Sequence, residues 1–244
     1  MTWAYQSTTA TQSGSGTVAV TYPAGIQVGD TVLLMCALGF GAGKTFTASD
    51  FTPLVSRNTN NSSAILYRVV DGTEGATSNV SNSGGNNCSY AMARFTGGPT
   101  NAANFASSIV ATNSRGSSGS AGLSWPNLTI GNNNNCLVVT LGTKQATLTS
   151  FDVPALWTGE LTHSTGSDGG RSFVWDYLIQ NTAADITSAG WTVGGDSSAA
   201  NQAIIAAILP AAAPPPSGGG GTGSTAFPPP KRKTYVFYDL YYPR

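Results

Sequence analysis

The sequence predicts an all-β fold: a two-sheet antiparallel β-sandwich or jelly roll with an internal pseudo-repeat, followed by an extended C-terminal arm. Three observations carry this. Only 9% of the 244 residues are charged, against about 25% in ordinary soluble domains. Ser, Thr, Asn and Gly take the place of the charges, while apolar residues stay plentiful, the profile of strands joined by neutral loops and not of a disordered chain. The apolar residues fall into short runs with turn residues between them, and the runs recur in the same order in the two halves of the first 210 residues.

The runs are Val18–Tyr22, Thr31–Leu38, Ala64–Val70, Ser89–Phe95, Phe105–Ala111, Cys136–Leu141, Ser172–Ile179 and Asn201–Leu209. Most are rich in β-branched residues and bounded by Gly, Asn, Asp or Pro, so each is read as a strand. The stretch Ala199–Leu209 is rich in Ala and Ile and compatible with a helix; its place in the repeat makes it a strand.

The repeat pairs Thr31–Gly39 with Asn134–Gly142, then Ala64–Val70 with Ser172–Leu178, then Cys88–Phe95 with Asn201–Ile208. Two halves with one strand order predict two sheets packed face to face. Residues 1–209 are therefore assigned to the sandwich, 210–230 to a linker and 231–244 to a docking peptide.

The linker is a proline run, a glycine run and a second proline run. At polyproline rise its length spans up to roughly 65 Å. The peptide beyond it is too short for a core of its own. Charge separates along the same boundary. Residues 1–213 carry seven basic and ten acidic side chains, whereas residues 214–244 carry four basic and one acidic. The arm alone is cationic, which suits an acidic partner surface.

Within the arm, Lys231, Arg232 and Lys233 precede Tyr235, Val236, Phe237, Tyr238, Tyr241 and Tyr242. Disordered tails are poor in such residues. An extended Thr234–Tyr242 puts Tyr235 and Phe237 on one face and Val236 and Tyr238 on the other. These nine side chains are the candidate partner-docking residues, with strand addition to a neighbouring sheet edge as the docking mode. Nucleic-acid binding by the same basic and aromatic mix is disfavoured by the short basic run beside a slightly acidic domain.

Other chemistry is thin. Gly39-Phe-Gly-Ala-Gly-Lys-Thr45 follows a strand but has Leu38 where a phosphate loop needs its first glycine, and extended chain is expected after it. His163 is the only histidine and lies in a loop-like run without a nucleophile elbow. Asp71-Gly-Thr-Glu74 is read as a turn in preference to a calcium loop. Cys36, Cys88 and Cys136 are read as buried free thiols, with one disulfide and a spare thiol as the alternative. No cofactor and no metal are expected, and no enzymatic activity. Of the five tryptophans, Trp157 and Trp191 sit near loops and are candidate glycan contacts; core packing is the competing role.

Met1-Thr-Trp-Ala-Tyr-Gln6 lacks the basic start and apolar core of a secretion signal, and no apolar run reaches a bilayer span, so synthesis in a host cytoplasm and no membrane contact are expected.

The run Pro23-Ala-Gly-Ile-Gln-Val-Gly-Asp-Thr-Val-Leu-Leu34, the strand Ile65-Leu-Tyr-Arg-Val69 and the closing Ala- and Ile-rich strand resemble β-sandwich proteins of tailed-phage and prophage structural modules. The resemblance covers roughly residues 1–210 and leaves the arm outside. It implies a virion structural protein of head-decoration, head-fibre or minor-tail type, often trimeric. The expected partners are other virion proteins (capsid, collar or tail subunits), held through the arm. The alternative is a lectin-like module of the adsorption apparatus contacting host glycan; an enzyme acting on surface polysaccharide ranks third.

Overall fold

A computed structural model describes residues 1–38, 42–59, 61–84, 88–117, 123–145, 148–155, 157, 172–188, 190–195 and 200–212. Residues 1–212 form one compact unit.

Its first half comprises β1 (Ala4–Thr8), β2 (Gln12–Gly14), β3 (Thr17–Thr21), β4 (Thr31–Leu38), β5 (Phe46–Ala48), β6 (Thr52–Arg57), β7 (Ser62–Val69), β8 (Thr77–Asn82) and β9 (Cys88–Thr96). A short helix, α1 (Ala102–Ser108), leads into the second half. That half comprises β10 (Ile109–Ser117), β11 (Leu123–Ser124), β12 (Cys136–Lys144), β13 (Leu148–Asp152), β14 (Ser172–Gln180), β15 (Gly190–Gly195) and β16 (Asn201–Ile208).

The pairing makes the duplication explicit. The large sheet of the first half runs β1-β9-β4-β7-β6, with β2 added on β9, and that of the second runs β10-β16-β12-β14. The small sheets are β3-β8-β5 and β11-β15-β13. Equating β1 with β10, β4 with β12, β7 with β14, β9 with β16, and the small sheets strand for strand, maps every shared antiparallel pairing of one half onto the other. Only β2 and β6 lack a counterpart among the described residues.

Each half is thus itself a two-sheet sandwich, and the two large sheets pack back to back, giving four layers. Three cores separate them. Leu34, Cys36, Leu66 and Met92 face the small sheet of the first half, together with Val20, Phe46 and Val80. Leu33, Met35, Ile65 and Phe95 face Leu137, Val139, Trp175 and Ile204 across the middle. Val138, Val174 and Ile205 face Leu123, Trp125 and Trp191. Strands β4 and β12 are therefore buried along their whole length on both faces.

This arrangement corrects two expectations. The pairing of Thr31–Gly39 with Asn134–Gly142 is one residue out of phase. Even-numbered residues face the small sheet in both β4 and β12, so an odd shift would exchange the faces. The run Phe105–Ala111 is not one strand. Asn101 caps α1 by accepting from the Asn104 N–H at 2.8 Å, as Asn favours, and the strand begins only at Ile109.

Two aromatic stacks join the halves at equivalent places. Tyr67 on β7 stacks on Phe105, just before β10, with centroids 4.0 Å apart. Tyr177 on β14 stacks on Tyr5 of β1 at 5.0 Å. At the opposite end the seam is polar: Asn61 donates towards Thr143, Gln145 donates to Asn61 Oδ1 at 2.7 Å, and Gln202 donates to Ser63 and to the Arg57 carbonyl.

Candidate functional site

The docking residues Lys231, Arg232, Lys233, Tyr235, Val236, Phe237, Tyr238, Tyr241 and Tyr242 all lie outside the described residues, as does His163. What is described is the root from which the arm continues. After β16, the Leu209 N–H donates to the Ser108 carbonyl and the Ala211 N–H to the Gly97 carbonyl, both at 2.9 Å. Trp3 Nε1 donates to the Ile208 carbonyl at 3.1 Å. The first strand, the link between the halves and the last strand are therefore tied together where the chain leaves the sandwich.

Glycine is required at this knot. Gly97 has φ +85°, and a Cβ there would lie 2.0 Å from the Thr2 carbonyl oxygen. A Cβ on Gly98 would lie 2.3 Å from the Trp3 indole. Both distances are far inside contact, so a side chain at either position displaces β1.

The turns at the same end are held by charge pairs. Asp30, itself buried, accepts from Arg94 Nε and from the Gln27 N–H, each at 2.7 Å. The Pro23–Asp30 run is thus a double turn closed by one carboxylate. Arg68 meets Glu74 at 2.5 Å, Asp71 at 3.1 Å and Asp50 at 3.5 Å. Asp71 also accepts from the Thr73 N–H at 3.0 Å, an Asx turn. Hydrogen bonds from Thr73 hold the Asp71 carboxyl low, at about 2. The Glu74 carboxyl is also lowered, because hydrogen bonds from Asp71 N–H and Arg68 outweigh its burial. Asp71 and Glu74 close on a guanidinium, which leaves the turn a structural clasp. Among the described residues no group of three or more His, Cys, Asp or Glu is placed to hold a metal ion.

Trp3, Trp125, Trp175 and Trp191 are core residues. Trp191 is 3% exposed, which corrects its assignment as a glycan contact: its ring meets that of Trp125 edge to face at 4.8 Å and its Nε1 donates to Asp176. Trp157 is half-buried and its ring lies 4.6 Å from that of Trp125. Cys36, Cys88 and Cys136 are buried free thiols. Burial pushes the Cys36 and Cys136 thiols up. Lys44 is followed within two residues by β5, so extended chain stands where a phosphate loop would start a helix. A shallow cleft lined by Lys44, Phe46, Pro53, Asn58 and Leu66 opens beside it.

One buried titratable group was missed in the sequence. Asp176 on β14 is fully buried, and its carboxyl is raised to about 7 by burial, against a lowering from the Trp191 hydrogen bond. The signal was present as a lone acid in the apolar run Val174-Trp-Asp-Tyr-Leu178.

No family model, curated protein or solved structure matches this chain. Among the described residues no helix is long and apolar enough to cross a membrane.

Proposed function

We propose that the chain is a non-enzymatic structural protein of a tailed-phage particle, displayed as a double sandwich and anchored through its C-terminal arm. The observation that carries this is the separation of roles along the sequence. Residues 231–244 gather three consecutive basic residues and a dense aromatic run behind a Pro- and Gly-rich linker. Among the described residues, the three clusters together are built from both halves of the sandwich.

Supporting features are the knot at Gly97, Trp3 and Ala211, which gives the arm a fixed origin, and a sandwich surface on which Met1 and Val28 are the exposed large apolar side chains among the described residues. Exposed apolar side chains this sparse among the described residues suit display in solvent, whereas tethered aromatics need a receiving surface. Burying each aromatic ring contributes roughly 1.5–3 kcal/mol before ordering costs. The receiving partners are other virion proteins of capsid, collar or tail.

Truncation after Ala212 tests this. The shortened chain folds, with the circular dichroism and melting of the full chain, and is missing from purified particles. Truncated protein at full occupancy on the particle would refute the anchoring role.

A further inference from the structure

The outer core of the second half holds a buried acid at its centre. In the first half the central small-sheet-facing pairs of β4 and β7 are apolar, Leu34 opposite Leu66 and Cys36 opposite Ala64, and the one charged member of such a pair, Arg68 opposite Val32, is held by its carboxylate clasp. In the second half the facing pair is Thr140 opposite Asp176, both fully buried. Above them lies the β11-β15-β13 sheet, joined to Asp176 by the Trp191 Nε1–H. Asp176 Oδ1, Thr140 Oγ1 and Trp125 Nε1 are buried without a hydrogen-bond partner.

A neutral carboxyl is tolerated here, but a carboxylate needs compensation, and among the described residues its one hydrogen-bond donor is the Trp191 Nε1–H. The elements packed around Asp176 contribute Ile205 from β16, Trp191 from β15, Leu123 and Trp125 from and after β11, Trp157 from the segment after β13, and Val174 and Leu178 from its own strand. Among the described residues, the other charged side chains on these elements, on β12 and β10 and on the segment after β14 are Lys144, Asp152, the exposed Arg115 and Asp185, whose carboxylate accepts from the Ile130 and Gly131 N–H groups. Lys144 lies four residues beyond Thr140 on the same face of β12, about 13 Å along the strand. Asp152, at the end of β13 opposite Thr192, is exposed.

We propose that Asp176 makes the second sandwich a pH-responsive unit: its ionisation loosens the β11-β15-β13 sheet while the first sandwich stays closed. The direction follows from linkage. The folded carboxyl titrates higher than a solvated aspartate, so the closed state binds the extra proton. Closure is fully favoured below the solvated value of about 4. It weakens as pH rises, and weakens no further above the folded value of about 7.

Hydrogen exchange of the full chain from pH 5 to pH 9 tests this, read as the ratio of β15 amides to those of β8, its counterpart in the first half. Dividing by β8 removes the chemical pH dependence of exchange. The ratio is expected to rise about tenfold per pH unit from pH 5 to 6.5 and to flatten above about pH 7.5. In Asp176→Asn it stays flat throughout. Asp176→Ser gives the same reading should the asparagine variant not fold. A flat ratio in the unaltered chain, or a pH-dependent ratio in the variants, overturns the proposal.

Discussion

Phe51 and Trp157 close the same turn, one in each half of the molecule. The Phe51 N–H donates to the Ala48 carbonyl and the Trp157 N–H to the Pro154 carbonyl, each at 3.2 Å. Each then lays its ring on an aromatic that follows the first strand of the small sheet: Phe51 on Tyr22 at 6.0 Å, Trp157 on Trp125 at 4.6 Å. The shared turn and the shared ring contact give Trp157 a packing role equivalent to that of Phe51. Phe51→Ala is expected to cost about 3–4 kcal/mol and Trp157→Ala, starting half-buried, about 2 kcal/mol. Urea melts measure both; a Trp157→Ala midpoint equal to that of the unaltered chain would free this ring for another role.

The knot at the root of the arm predicts that alanine at either of its two glycines costs more than alanine at a glycine with open space around it. Gly97→Ala must expel Thr2, and Gly98→Ala must expel the Trp3 ring. Both should lower stability by about 2–4 kcal/mol through loss of β1 packing and, at Gly97, positive-φ strain. Gly131→Ala, also at positive φ but with open space around it, should cost only about 1 kcal/mol. Equal losses at all three positions in thermal melts would show that the Trp3 contact adds nothing.

The thiols give a chemical prediction. Cys36 is fully buried and Cys136 sits in the third core, and burial raises both. Neither should react with a thiol reagent at pH 8 in the folded chain, whereas all three cysteines of the sequence react once it is unfolded in guanidinium. Stoichiometric labelling of the native chain at these positions within minutes would contradict the packing.

The clasp around Arg68 sets an acid limit. The folded carboxyls of Asp71 and Glu74 are held below their ordinary values. Their contribution is therefore present above the unfolded carboxylate range and is lost as pH falls towards about 2. Glu74→Gln should flatten the fall in melting temperature between pH 5 and pH 2 and leave the mostly buried guanidinium with Asp71 and Asp50 as its remaining carboxylate partners. An unchanged acid profile would show that the clasp does not stabilise the turn.

How much of this was legible in the sequence follows from burial. The run Thr31–Leu38 matches β4 to the residue, and the strand order of the repeat was visible, because long apolar runs bounded by turn residues mark interior strands. The phase of the repeat was not. A strand buried on both faces has no apolar and polar alternation, so nothing in Thr31–Leu38 or Cys136–Leu141 tells inner from outer residues. Of the small sheets, β3 was visible as Val18–Tyr22; the other strands were not, for another reason. β5 and β11 have three and two residues, and β15 is half glycine; partners, not propensity, make them strands. Trp191 looked loop-borne because β15 is so short of apolar neighbours. Asp176 was passed over because its meaning depends on Trp191 and Thr140, which lie far from it in sequence.

The anchoring claim is tested most directly by transplanting the arm. Residues 213–244 are fused to an unrelated monomeric carrier and mixed with phage particles assembled without this chain, and the carrier that co-sediments is counted. The account predicts saturable co-sedimentation that is lost when Tyr235, Phe237 and Tyr238 are replaced by alanine. A carrier that stays in the supernatant with the arm intact would contradict it.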